Sequence, residues 1–71
     1  MLMPKYSFAV EEKIQKRFDE WLKNNGIWYE NTIMYEVPGA RFRIYTVYYA
    51  FMNREAVVSW VNNKLKELRH G

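Results

Sequence analysis

The stretch 27–51 constrains the fold most, because aromatic and apolar residues alternate there around one turn signal, Pro38-Gly39. Proline presets φ for the first central position of a turn, and glycine tolerates the positive φ that a type II turn needs next. A type II turn twists against a tight two-residue hairpin, which favours a four-residue loop over 37–40 or a bulge. We therefore predict a β-hairpin with strands over 27–37 and 40–51.

The hairpin closure also predicts the pairing of the two strands. Starting from the turn, the expected pairs are Val37 with Ala40, Glu36 with Arg41, Tyr35 with Phe42, and Ile33 with Ile44. Successive side chains of a strand point to opposite faces, so this register assigns every residue to one of two faces.

The two faces differ in composition. One collects mostly apolar residues and is expected to face the core: Ile27, Tyr29, Asn31, Ile33, Tyr35, Val37, Phe42, Ile44, Thr46, Tyr48 and Ala50. The other is charged near the turn and aromatic at the far end: Trp28, Glu30, Thr32, Met34, Glu36, Arg41, Arg43, Tyr45, Val47, Tyr49 and Phe51. Because a solvated face has little use for so many aromatic rings, we expect this second face to bind a partner.

Two helices are expected to flank the hairpin. Residues 1–6 form a short lead, and Ser7 is a plausible N-cap for a helix over 8–25 that ends at Gly26. Asn53 is the candidate N-cap for a second helix over 54–69. The apolar stripes are Val10, Ile14, Phe18, Trp21 and Leu22 in the first helix and Val57, Val58, Val61, Leu65 and Leu68 in the second. Trp60 lies off its stripe, either at the core edge or in an interface.

These elements predict one α+β domain over 1–71, in the order helix–β-hairpin–helix (αββα). Both helices would pack on one face of the antiparallel hairpin, and the sheet would be extended or stacked in a homodimer. At 71 residues, a single core rarely supplies more than about 3–5 kcal/mol of net stability. Because the chain has no cysteine and one histidine, His70, disulfides and a Cys/His metal site are not expected. Oligomerisation is the stabiliser that remains.

The sequence offers no catalytic arrangement. Its two serines, Ser7 and Ser59, lie on expected helices, its histidine lies near the C-terminus, and its three glycines are isolated. We therefore expect no enzymatic activity, no cofactor and no metal. No apolar run approaches the roughly 20 residues of a membrane span, so we expect a cytoplasmic protein without membrane contact.

Two functions fit the partner-binding face. The first is a protein-interaction module, of adaptor or inhibitor type, that binds itself or an unidentified protein through Trp28, Met34, Tyr45, Val47, Tyr49, Phe51 and Trp60. The second is binding of DNA or RNA, which the net charge of +3 permits, through Arg41, Arg43, Tyr45 and Tyr49. Glu30 and Glu36 share that face and would repel phosphate.

Overall fold

The computed structural model describes residues 3–50 and 52–71, and over these residues the chain is an α+β protein with two helices and a four-stranded antiparallel sheet. The elements in chain order are β1 (Lys5–Glu11), α1 (Glu12–Asn24), β2 (Trp28–Asn31), β3 (Tyr35–Val37), β4 (Ala40–Tyr48) and α2 (Arg54–His70).

Strand β4 is the centre of the sheet. It pairs along one side with β1 and along the other with β2 and β3, which follow one another in line. All these pairings are antiparallel, so β1 and β2 run in the same direction with β4 between them, a split β-α-β arrangement. Both helices pack on one face of the sheet, where they bury the core: Val10, Ile14, Phe18, Leu22, Tyr45, Val47, Val57, Val61, Leu65 and Leu68.

The first strand corrects the prediction of a helix over 8–25 and of the order αββα. Residues 5–11 form β1, and the helix begins only at Glu12. Ser7 is not an N-cap, because its hydroxyl pairs with that of Thr46 across the strands at 2.8 Å. The strand alternates apolar residues at 6, 8 and 10 with polar or small ones at 5, 7, 9 and 11, which is the period of a half-buried strand.

The helix ends follow the local signals more closely. α1 stops at Asn24, and Gly26 takes the positive φ of 65° that reverses the chain. α2 begins at Arg54, and the side chain of Asn53 accepts a 2.7 Å hydrogen bond from the backbone N–H of Ala56. Trp60 lies at the core edge, with its ring 4.5 Å from that of Trp21.

The turn pairing matches the prediction, but the predicted four-residue loop or bulge is wrong, because β3 ends at Val37 and β4 begins at Ala40, which leaves a two-residue loop. Val37 pairs with Ala40, Glu36 with Arg41, and Tyr35 with Phe42, and Gly39 has a φ of 83°. Farther from the turn the prediction is wrong, because Thr32 rather than Ile33 lies opposite Ile44. The Thr32 N–H donates to the Ile44 carbonyl at 3.0 Å, and the Thr32 hydroxyl accepts from the Ile44 N–H at 3.3 Å.

This pairing inserts one extra residue into the edge strand. Residues 32 and 35 lie opposite 44 and 42, so three steps on one strand match two on the other, as in a β-bulge. The bulge moves Tyr35 to the face opposite that of Tyr29. Because the prediction assumed unbroken alternation over 27–37, it wrongly placed Ile27 and Tyr29 on the same face as Tyr35.

The choice of core face is the largest correction. Tyr45 and Val47, expected to face a partner, are 1% and 2% exposed beneath the helices. The cause is β1, where Phe8 pairs with Tyr45 and Tyr6 with Val47. Burying the opposite set would have placed the charged side chains at positions 5 and 11 under the helices, at a high desolvation cost.

Candidate interaction surface

The face of the sheet turned away from both helices carries two groups of aromatic and aliphatic side chains, separated by a polar row of Ser7, Thr46 and Glu30. We call it the open face. It consists of the strand residues whose side chains point away from the helices: Lys5, Ser7, Ala9, Glu11, Trp28, Glu30, Tyr35, Val37, Ala40, Phe42, Ile44, Thr46 and Tyr48. The core contains none of these residues. Within residues 3–50 and 52–71, both helices pack on the other side.

Two aromatic pairs mark the ends of the open face. Trp28 pairs with Tyr48 across β2 and β4, with ring centroids 5.4 Å apart. Tyr35 pairs with Phe42 across β3 and β4, with ring centroids 5.7 Å apart and planes tilted by 24°. Ile44 lies between the two pairs on β4. The central strand thus carries apolar side chains along much of its length on the side that the helices leave uncovered.

The exposure of these residues is unusual for their type. Trp28 is 66% exposed, Val37 is 50% exposed and Tyr35 is 44% exposed, while Phe42, Ile44 and Tyr48 are partly exposed. Isolated apolar residues on a surface are common, but a contiguous patch rimmed by polar groups is typical of a binding site. The group around Tyr35, Phe42 and Ile44 has this form, and the Trp28–Tyr48 pair forms a second, smaller apolar group beyond the polar row.

The charges at the margins are few and of both signs. Lys5 lies at one corner and Glu30 near Tyr48, and burial together with the Glu30 carboxylate raises the pKa of that phenol. Glu11 lies at another corner, where Arg69 of α2 donates two hydrogen bonds to its carboxylate at 2.7 and 2.6 Å. These bonds lower the pKa of Glu11. The open face is therefore close to neutral.

The two arginines predicted to contact nucleic acid are held by other side chains. Arg41 forms ion pairs with Glu12 at 2.9 Å and with Glu36 at 2.8 Å. Arg43 is half-buried on the helix side of β4, and its Nη1 donates to Asn31 at 3.3 Å. Neither guanidinium lies on the open face.

Four of the predicted interface residues line one depression at the Trp28 end of the sheet: Trp28, Val47, Tyr49 and Trp60. Of the predicted interface residues that the structure describes, only Trp28 lies on the open face. Met34 is half-buried, and its sulfur accepts a 3.7 Å hydrogen bond from Gln15 of α1. Tyr45 and Val47 belong to the core, Tyr49 and Trp60 pack against it, and Phe51 lies outside the described residues.

No protein family, no curated protein and no solved structure matches this chain. The open face is therefore interpreted from its own geometry. Among residues 3–50 and 52–71, no three acidic, histidine or cysteine side chains converge as metal ligands would. Neither of the two described helices is long and apolar enough to cross a membrane.

Sequence reasoning identified many of the open-face residues but assigned them to the core. Tyr35, Phe42, Ile44 and Tyr48 were grouped on one face, as the structure has them. The signal that could have placed this face outward lies in β1. Its apolar residues at 6, 8 and 10 pack under the helices beside aromatic and aliphatic residues of β4, which include Tyr45 and Val47.

Proposed function

We propose that this protein is a small non-enzymatic interaction module that binds protein, in the first place a second copy of itself, through the open face. The observation that carries the proposal is the row of Trp28, Tyr48, Phe42 and Tyr35 on a sheet face without a helix over it. Aromatic residues are enriched at the cores of protein interfaces, and charged residues are depleted there. A cytoplasmic location stays a prediction.

The size of the open face sets the expected strength of association. β4 has nine residues and extends for about 30 Å, and neighbouring strands lie about 4.8 Å apart. Three strands then give a projected area on the order of 450 Å². Stable interfaces bury roughly 800 Å² on each partner, so we expect a weak dimer with a dissociation constant above about 1 μM.

Sedimentation equilibrium up to about 1 mM protein tests the proposal at the affinity expected from this area. Trp28→Asp and Tyr35→Asp each place one negative charge on the open face, at side chains exposed enough to tolerate it. Asn62→Asp and Asn63→Asp add the same charge on exposed positions of α2 and serve as matched controls. We expect the wild type and the controls to dimerise and the open-face variants to stay monomeric.

Two outcomes would overturn this function. One is a wild-type protein that remains monomeric over the whole concentration range. The other is an open-face variant that dimerises as strongly as the Asn62→Asp control. Folding of each variant is checked independently by its far-ultraviolet circular dichroism and its thermal unfolding.

Nucleic-acid binding is the second candidate, and the exposed ring pairs support it. Bases of single-stranded nucleic acid stack on aromatic side chains, and Trp28 and Tyr35 present such rings at opposite ends of the face. The margins weigh against it, because Glu11 and Glu30 accompany one lysine, Lys5. Retention of a labelled single strand that weakens steeply between low and moderate salt, and that Lys5→Glu abolishes, would favour this candidate.

A further inference from the structure

The order of side chains is close to symmetric over four of the five cross-strand rows of the open face. Reading along β4, these four rows are centred on Tyr48, Thr46, Ile44 and Phe42, and a shorter fifth row, Ala40 with Val37, follows beside the turn. The first and last of these four rows each hold two aromatic rings and one charged residue. Of the two rows between them, one is polar and includes Glu30, and the other holds Ala9, Ile44 and Thr32. The four rows are Lys5–Tyr48–Trp28, Ser7–Thr46–Glu30, Ala9–Ile44–Thr32 and Glu11–Phe42–Tyr35.

This symmetry permits a self-complementary contact. A two-fold axis that lies in the plane of the face and crosses the strands between Thr46 and Ile44 exchanges the two end rows. It brings Tyr48 of one copy onto Phe42 of the second, and Trp28 onto Tyr35. The same operation places Lys5 of one copy beside the Glu11 carboxylate of the second, which Arg69 already pairs.

The other simple arrangements fit less well. A two-fold axis along the strands would bring Lys5 over the Trp28 ring, but it would also place the Glu11 carboxylate over the Tyr35 ring and Glu30 beside Ser7. Edge-to-edge pairing of β1 is limited at both ends. At one end the Pro4 carbonyl points toward β4, where it accepts from the Tyr49 N–H. By alternation the Lys5 carbonyl points to the free edge, where Arg54 already donates to it at 3.1 Å.

Arg69 occupies the other end of that edge through its two bonds to Glu11. The outward backbone groups between the two arginines belong to Ser7 and Ala9, which is a short segment for a new strand to pair with. Charged side chains at an edge are a common protection against strand addition. The open face, rather than the β1 edge, is therefore the surface that a second copy fits.

We propose that two copies stack their open faces about the axis that crosses the strands, with Tyr48 against Phe42 and Trp28 against Tyr35. This inference rests on the proposed function and specifies its partner and geometry. Stacked sheets lie about 10 Å apart, and residues 48 and 42 are about 20 Å apart along β4. Cross-linking can therefore distinguish the two axes.

The chain has no cysteine, so single thiols can be introduced without background. Tyr48→Cys and Phe42→Cys proteins are mixed and treated with a bismaleimide that spans about 10 Å, the spacing of stacked sheets. We expect the mixed product to exceed each same-variant product several-fold. Lys66→Cys, on an exposed position of α2, is the control that should give little product.

The outcomes separate this inference from the function on which it rests. Same-variant products in excess would indicate the axis along the strands, and absence of cross-linking in a protein that sediments as a dimer would indicate another interface. Either result overturns the proposed geometry and leaves self-association standing. A wild-type monomer at all concentrations overturns both.

Discussion

The phenolic hydroxyl of Tyr45 donates a 2.6 Å hydrogen bond to a carboxylate oxygen of Asp19, which joins the central strand to α1. The Tyr45 ring is buried and makes an edge contact with Phe18 at 5.4 Å and a stacked contact with Tyr29 at 5.9 Å. Tyr45 therefore holds its face of β4 against the helices. The β4 side chains that point the other way form part of the open face.

Tyr45→Phe should destabilise the fold while preserving the shape of the core. The substitution removes a hydrogen bond to a charged group, which typically contributes about 1.5–3 kcal/mol, and leaves the Asp19 carboxylate without that donor. Urea unfolding at pH 7 measures the change. Asp19→Asn is the complementary variant, and a cost near zero for both would contradict the role assigned to this bond.

The same residue predicts a dependence on alkaline pH. Burial and the nearby Asp19 raise the pKa of Tyr45 well above its ordinary value of 10.0. A raised native pKa favours the protonated form, so its contribution to stability is complete below pH 10 and is lost as the pH rises beyond it. The stability difference between wild type and Tyr45→Phe should therefore shrink above pH 10.

Arg69→Met should remove a contribution that depends on acid pH. Arg69 lowers the pKa of Glu11 from its ordinary value of 4.5, and a lowered native pKa gives stability above pH 4.5 that is lost as the pH falls below it. Because both groups are partly exposed, the loss at pH 7 should be modest, about 0.5–1 kcal/mol. Lys66→Met on the same helix is the control, and an equal loss in both variants at pH 7 and pH 3 would contradict this account.

Asn53→Ala should destabilise α2 by about 1 kcal/mol, because the Ala56 N–H loses its side-chain acceptor. Asn53→Asp keeps an acceptor at the same position and should retain most of the stability. Thermal unfolding of the three proteins at low concentration, where self-association is negligible, makes the comparison. A larger loss for aspartate than for alanine would be inconsistent with capping.

The sequence determined local features better than the choice of core face. Asn53, Gly26 and the Pro38-Gly39 turn each act through a few neighbouring residues, and the structure has each in its predicted place. The bulge beside Thr32 was not foreseeable from period-2 counting, because one extra residue reverses the parity beyond it. Strand β1 was missed because Val10 also fits the apolar stripe of α1.

Without β1, the two faces of β4 were nearly indistinguishable in the sequence. Each carries aromatic and aliphatic side chains, and the preference between them comes from Phe8 and Tyr6, which pair with Tyr45 and Val47. An aromatic interaction surface on the hairpin was therefore predicted, but on the face of β4 that the helices cover. Tyr35, Phe42, Ile44 and Tyr48 had been grouped together correctly but assigned to the core, and Trp28 had been assigned to the opposite face.

A dilution series observed at isoleucine methyl groups tests the central claim most directly. Ile44 lies on the open face and Ile14 of α1 is buried in the core, so one spectrum contains both the probe and its control. Between about 1 mM and about 10 μM, we expect the Ile44 methyl resonance to shift as the dimer dissociates and that of Ile14 to stay unchanged. An Ile44 resonance that does not move with concentration would contradict the account.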